Sequence, residues 1–315
     1  MILITSDLTD PKFNLATEEF LLKERNKDFF LLYSNEPSVI VGKHQNTLAE
    51  VNLRYATDNN ISILRRISGG GAVYHDKGNL NFSFITSGEE GHLIDFKKYT
   101  LPIIDALRNM GIEAKLEGKN DLRVNGLKIS GNAEHVYKNR VLHHGTLLVS
   151  ADITMLSEAL HSSTGEYTDN AVKSIRSKVT NLNKLTDPPV NVELLKQQIT
   201  GYLLKTFNCQ ITGLTSHDIE PIEILANTKY SKWEWNFGYS PKYQFRNSFN
   251  FNGNEVKIFL EVENGIIIKA ELQEYNFLNR HLVNIRHVYQ EIKKTLLNNL
   301  QLNNDEAGLL AWSFF

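Results

Sequence analysis

The sequence predicts an α+β fold, with a mainly antiparallel sheet flanked by helices and a small α+β unit toward the C-terminal end. Short β-branched and aromatic runs follow one another with turn residues between them, as in a meander. Only a few segments repeat apolar residues at helical spacing. Beyond Pro241 the pattern changes to alternating strands followed by a helix. With 315 residues the chain accommodates one large unit and one smaller one, and the change near 243–247 sets them at 1–245 and 246–315.

In chain order, Asp10-Pro11 opens a helix through NLATEEFLLKER, where Leu15, Phe20, Leu21 and Leu22 supply an apolar stripe after a short first strand. FFLLY and SVIVG read as strands, 53–59 as a helix, and ISILRRI, GAVYHD and LNFSFIT as further strands. A helix over 99–110 stops at Gly111. DLRV, LKISGNAEHV and VLHHGTLLV are extended, with turns at Asn125-Gly126 and Lys138-Asn139. Helices are expected over 153–160 and 192–206. In the last unit, two strands surround Glu263-Asn264-Gly265, and 281–300 has helical periodicity with Leu282, Ile285, Val288, Ile292 and Leu296 on one face.

The densest information lies in RRISGGGAVYHDKGN at 65–79. Gly69, Gly70 and Gly71 interrupt two strands and leave no side chains between the backbone and a ligand. Bare N–H groups beside Arg65 and Arg66 suit a phosphate or carboxylate. Neither the P-loop order nor a G-x-G-x-x-G opening a helix is present, so a nucleotide here would lie on a sheet. Strand alternation sends Arg65 and Arg66 to opposite faces and leaves open which of them meets the ligand.

Bulk properties exclude several classes. A net charge of −2 gives no nucleic-acid footprint. The start, MILITSDLTDPKFN, lacks a basic segment followed by an apolar one, and no apolar run approaches the roughly 18 residues of a membrane span, so a cytoplasmic protein is expected. The single cysteine, Cys209, excludes an internal disulfide and a cysteine-rich zinc site.

RRISGGGAVYHDKGNLNFSF resembles the signature of the lipoate-protein ligase A family, within the lipoyl and biotinyl protein ligases. PSVIVGKHQN at 37–46, KNDL at 119–122, GLKISGNA at 126–133, HHGTLLVSAD at 143–152, SIRSKVTNL at 174–182 and KWEWNFGYSPKY at 232–243 follow in the family's order. The resemblance covers most of residues 1–243. It implies the biotin/lipoate ligase catalytic fold over 1–245 and an accessory domain over 246–315.

It also implies that Lys128 is the essential lysine and that Arg66 is the arginine facing the site, near the acyl-adenylate phosphate. Main-chain contacts to the nucleotide are implied at Gly69, Gly70 and Gly71, and at Ala72, Val73 and Tyr74, with Asn79 at the adenine. Contacts to the acid are implied at Ser68, His75 and His144 besides Arg66 and Lys128. A lysine so placed can touch the carboxylate and the α-phosphate, worth roughly 4 kcal/mol of Coulomb energy at about 4 Å in an effective dielectric near 20, before desolvation. His143 and His144, adjacent on a strand, point to opposite faces and cannot share a metal without a bend. Asp121 is a candidate for Mg²⁺ or ribose, or for a strand-entry turn.

The expected chemistry is two-step ligation. Lipoate or octanoate attacks the α-phosphate of ATP with Mg²⁺, and an acceptor lysine then attacks the acyl-AMP. The resemblance implies acceptors among the lipoyl domains of 2-oxoacid dehydrogenase E2 subunits and the glycine cleavage H protein, and a monomeric enzyme acting without nucleic acid or membrane. A transferase using preformed acyl-AMP or an acylated protein donor is the alternative, and a non-catalytic adenylate-binding protein is a third reading. Transferases with a cysteine nucleophile are disfavoured, because no cysteine lies near 128–150.

Overall fold

In the computed structural model of the chain, residues 1–88, 93–160 and 165–315 are described. An eight-stranded sheet runs in the order Gln210–Ile211, Ile2–Thr5, Phe29–Tyr33, Asn79–Ser87, Arg140–Leu148, Leu127–Tyr137, Asp121–Val124 and Lys115–Glu117. From Phe29–Tyr33 onward every neighbour is antiparallel. Ile2–Thr5 instead pairs in parallel with Phe29–Tyr33, because helix Pro11–Glu24 forms the crossover between them.

The register of Asn79–Ser87 separates two environments. Leu80, Phe82 and Phe84 pack with Ile103 and Leu107 of helix Phe96–Arg108 and with Leu195 and Ile199 of helix Val192–Thr206. Asn79, Asn81 and Ser83 alternate with them and are also buried, on the face toward the first helix. That helix starts at Pro11 behind an Asp10 cap and buries nearly everything from Phe13 to Leu22, including Asn14, Thr17, Glu18 and Glu19. Glu18 accepts from Ser83 of that row, Asn14 bonds to Asn35, and Glu19 accepts from Lys229 and Tyr230, which is why a simple apolar stripe under-describes the helix.

A three-stranded sheet carries the glycine turn. Ser38–Val41 lies between Ser62–Arg65, parallel, and Val73–His75, antiparallel.

The C-terminal sheet has the order Glu166–Asp169, Tyr243–Phe251, Asn254–Glu263 and Ile266–Leu272. A boundary at 245 therefore falls inside a continuous strand, and one strand of this sheet comes from far upstream. Besides the expected hairpin at Asn264-Gly265, Asn252-Gly253 closes a second one, both pairs having positive φ. The helix expected over 281–300 is broken into Asn279–Leu282 and Tyr289–Asn299. Between them Asn284 takes φ +67, and the backbone of 284–287 bonds to Gly265 and Ile267. His287 anchors this break, its Nδ1 lying 2.7 Å from the Tyr243 hydroxyl and its Nε2 donating to the Phe314 carbonyl at 2.6 Å. Leu282, Ile292 and Leu296 still share one core, so the periodicity reported the buried face but not the break.

Candidate active site

Arg65 and Arg66 leave the strand Ser62–Arg65 in opposite directions, as alternation requires. Arg65 is fully buried and binds the backbone around it, donating to the carbonyls of Gly42, Gln45, Trp235 and Asn236 and to the hydroxyls of Thr47 and Ser240. Arg66 turns into the glycine loop. Its Nη2 donates to the carbonyls of Gly69 (2.6 Å) and Gly71 (2.8 Å), Nη1 to that of Ile40 (3.0 Å), and Nε to Ser68 Oγ (2.9 Å). Burial pushes both guanidinium pKa values down to about 10, and for Arg66 the charge of Glu18 opposes that shift. Gly70 sits at φ +89, and a Cβ on Gly42 would run into its carbonyl oxygen.

Over this loop opens a cavity of about 910 Å³. Its walls include Arg66, Gly69, Gly70, Gly71, Ala72 and Val73 from the turn, and Lys128, Asp121 and Arg123 from the large sheet. Lys128 Nζ lies 2.8 Å from Asp121 Oδ1, and Arg123 holds Asp121 Oδ2 at 2.8 Å. The amine rests over Gly131, where a Cβ would come within 3.1 Å of it.

Residues 172–180 form a strap across the opening. The Lys128 amide donates to the Lys178 carbonyl, and the Thr180 amide donates to the Lys128 carbonyl. At the other end Ser174 Oγ accepts from the Ala72 amide (2.8 Å) and from Gln45 Nε2 (3.1 Å), while the Ser174 amide donates to the Glu50 carboxylate. A Cβ on Gly71 would stand 2.9 Å from Ser174 Oγ, so this glycine makes room for the strap as well as for a ligand. Val172, Lys173, Ser174, Ile175 and Ser177 line the cavity, whereas Arg176 and Lys178 do not.

The two histidines on the cavity wall are fixed differently. Asn35 Nδ2 donates to His75 Nδ1 at 3.0 Å, and Asn35 Oδ1 in turn accepts from Asn14 Nδ2 at 2.8 Å. That amide orientation leaves the His75 proton on Nε2, a buried atom with no protein partner. Burial, then the nearby Arg66 charge, pushes the His75 pKa down to about 3, so the ring is a neutral donor. His144 places Nδ1 2.9 Å from Glu18 Oε2 and Nε2 2.6 Å from Ser68 Oγ. His143 lies on the other face, its Nδ1 2.8 Å from Glu134 and its ring stacked on Tyr99. The two adjacent histidines thus serve separate environments.

Of the remaining expected positions, Ser68, Tyr74 and Asn79 stay behind the wall rather than lining it. Ser68 joins Arg66 to His144, and the Tyr74 hydroxyl donates to the sulfur of Met155. Asn79 closes its own turn, with Oδ1 accepting from the Asp76 amide and Nδ2 donating to Thr146 Oγ1. Residue-pattern reasoning missed Asn14, Glu18 and Asn81. Asn81 is 1% exposed, lines the cavity, and has neither amide atom bonded within the protein. The signal available for it was the Asn79-x-Asn81-x-Ser83 alternation opposite an apolar face.

The described residues, as placed, do not build a protein site for Mg²⁺. Both oxygens of Asp121 already hold cations, and among the described residues no three His, Cys, Asp or Glu groups are placed to share a metal. Among them, too, no helix is long and apolar enough to cross a membrane.

The chain can be set beside known proteins on this geometry. Residues 10–204 match the family described as the lipoyl protein ligase A/B catalytic domain. Lipoate–protein ligase 1 of Staphylococcus aureus is 40% identical over 300 residues, covering 92% of each chain. Among solved structures, lipoate-protein ligase A bound with ATP superposes with a TM-score of 0.65 at 27% identity, over 76% of this chain and 98% of that one. A bipartite lipoate protein ligase from Thermoplasma acidophilum, described with its E2 lipoyl domain, gives a TM-score of 0.65 at 27% identity, over 76% of this chain and 96% of its own. Sequence and fold agree, and the chain belongs to the lipoyl protein ligase A/B catalytic-domain family.

Proposed function

We infer that this protein is an ATP-dependent lipoate–protein ligase. The observation that carries the reading is one cavity bounded by a side-chain-free turn, Gly69 to Gly71, and by the Lys128 ammonium. Joining lipoate to ATP brings two anions together, which backbone N–H groups and a compact cation in one cavity favour. In the first step a carboxylate oxygen of the acid attacks the α-phosphorus, the bond to the β-phosphate oxygen breaks, and pyrophosphate leaves. In the second step the ε-amine of an acceptor lysine attacks the acyl carbon. AMP leaves with the electron pair of the broken C–O bond, and a proton is lost from nitrogen.

Lys128 stabilises the developing charge on the phosphate and later on the acyl carbonyl. Arg66 acts differently from a direct ligand, since its N–H groups are bonded to Ser68 and three carbonyls; it shapes the turn whose amides meet the anion. His75 Nε2–H and Asn81 supply polar contacts on the acid side. Mg²⁺ belongs to this scheme as part of the nucleotide substrate, carried on its phosphates. The Ser174 strap keeps water from the mixed anhydride.

The acceptors we propose are lipoyl domains of 2-oxoacid dehydrogenase E2 subunits and the glycine cleavage H protein, met by a monomeric enzyme in the cytoplasm. A cysteine-dependent transfer is disfavoured: Cys209 is not on the cavity wall, and burial pushes its thiol pKa up.

The test is to incubate the protein with ATP, Mg²⁺, lipoate and an apo lipoyl domain while following pyrophosphate and acceptor mass. Pyrophosphate release with a lipoylated lysine is expected. Modification only from preformed acyl-AMP or an acylated protein donor would replace the ligase by a transferase, and adenylate binding without turnover would make it a binding protein.

A further inference from the structure

We propose that Glu18 is a positioning residue for the anion-binding turn, acting through His144, Ser68 and Arg66. The proposal rests on the ligase reading for the identity of the anion as a phosphate of ATP.

Glu18 lies on helix Pro11–Glu24, is 1% exposed and does not line the cavity. Its carboxylate accepts from the Tyr33 hydroxyl at 2.8 Å, from the Ser83 hydroxyl, and from His144 Nδ1 at 2.9 Å. A carboxylate only accepts, so His144 turns its Nδ1 proton to Glu18 and its Nε2 edge to Ser68. Ser68 Oγ lies 2.6 Å from that Nε2, and it accepts from Arg66 Nε at 2.9 Å. Glu18 fixes the ring orientation of His144 on which the Ser68 and Arg66 bonds are built.

The far end of the chain is the turn itself. Arg66 Nη2 holds the carbonyls of Gly69 and Gly71. In a planar trans peptide the N–H points opposite to the carbonyl, so the amides of Gly70 and Ala72 face away from the guanidinium. The Ala72 amide does so, donating to Ser174 Oγ at 2.8 Å. An anion on that side meets the Gly70 amide, while the Ala72 amide, turned the same way by Arg66, holds the Ser174 strap beside it. Glu18 also supplies the counter-charge for Arg66, whose own hydrogen bonds here go only to neutral oxygens.

A carboxylate that merely filled a polar layer under the helix would affect stability alone. The test therefore compares Glu18→Gln, which keeps volume and removes charge, with Ser68→Ala and the double variant. The readouts are ATP affinity by calorimetry and kcat/KM for ATP in lipoate-dependent ATP–pyrophosphate exchange. Each single variant is expected to lose about tenfold, within the range found for coupled neighbours, and the double variant to lose no more than the worse single. The His144 Nδ1–H resonance, deshielded by a carboxylate, is expected to move upfield in Glu18→Gln.

Losses that multiply in the double variant, or unchanged ATP affinity in a folded Glu18→Gln, would overturn the proposal. Absence of exchange in the unsubstituted protein would sink the ligase reading instead, and the relay would then be decided by ATP affinity and the His144 resonance.

Discussion

Nζ of Lys128 lies 2.8 Å from Oδ1 of Asp121, so the ammonium is held against the cavity wall before any substrate arrives. Asp121 is shared with Arg123, leaving two cations on one carboxylate and a net positive charge facing the glycine turn. Lys128→Ala is expected to lower lipoate-dependent pyrophosphate exchange about a hundredfold or more, the usual effect of removing one transition-state donor. Asp121→Asn frees the lysine without removing it and should cost much less. Near-normal exchange by Lys128→Ala would refute the role given to this residue.

Gly42 and Gly71 border the same loop but are open to different failures. A Cβ at 42 meets the Gly70 carbonyl, which is backbone and cannot step aside, whereas one at 71 meets the side chain and Cα of Ser174 in the strap. Gly42→Ala should therefore distort the turn, costing about 3 kcal/mol as severe overpacking and abolishing exchange. Gly71→Ala should keep the melting temperature and lift the strap, so that acyl-AMP escapes to water. AMP formed without acceptor distinguishes them: it should rise in Gly71→Ala and vanish in Gly42→Ala.

Two buried histidines give the stability a pH dependence of known sign. Burial, then the Arg66 charge, pushes the His75 pKa down to about 3, and burial pushes that of His287 down to about 4, from an ordinary 6.5. The unfolded chain takes up protons at both sites below 6.5 while the folded chain resists, so protonation favours unfolding. The contribution is complete above pH 6.5 and declines as pH falls through 4 toward 3. Urea midpoints should fall steadily from about pH 6.5 to 5, before most carboxylates titrate. A flat midpoint across that interval would contradict the burial of neutral rings at these positions.

How legible the molecule was in its sequence follows from which contacts are local. Ser62–Arg65, the glycines and Val73–His75 are neighbours in the chain, so alternation and missing side chains predicted both the turn and the opposed arginines. The hairpin at Asn264-Gly265 was readable for the same reason. The polar stripe of Asn14 and Glu18 was not, because its partners, Asn35 in the loop after Phe29–Tyr33 and His144 on a distant strand, are remote in sequence, and a helical wheel counts such residues as solvent-facing. Ser174 stood out only through the resemblance of SIRSKVTNL; its bond to Ala72 spans 102 positions. The break after Leu282 went unseen since His287 bonds to Tyr243 and Phe314, contacts no local periodicity encodes.

Arg65 provides the sharpest test of how the glycine turn is tied to the rest of the protein. Its guanidinium bridges the loop around Gly42 and Gln45 to the turn around Trp235 and Asn236, and Trp235 Nε1 returns a bond to the Arg65 carbonyl at 2.7 Å. Lysine has three donors on one nitrogen and cannot span acceptors arranged around a planar fork. Arg65→Lys should therefore orphan several buried carbonyls at about 1–3 kcal/mol each, lowering the urea midpoint well beyond an ordinary surface change. Because Arg66 is anchored separately, ATP affinity in the fraction that remains folded should fall far less than in Lys128→Ala. A variant that kept its stability and lost ATP binding would reverse the roles of the two arginines and make Arg65 the one that serves the ligand.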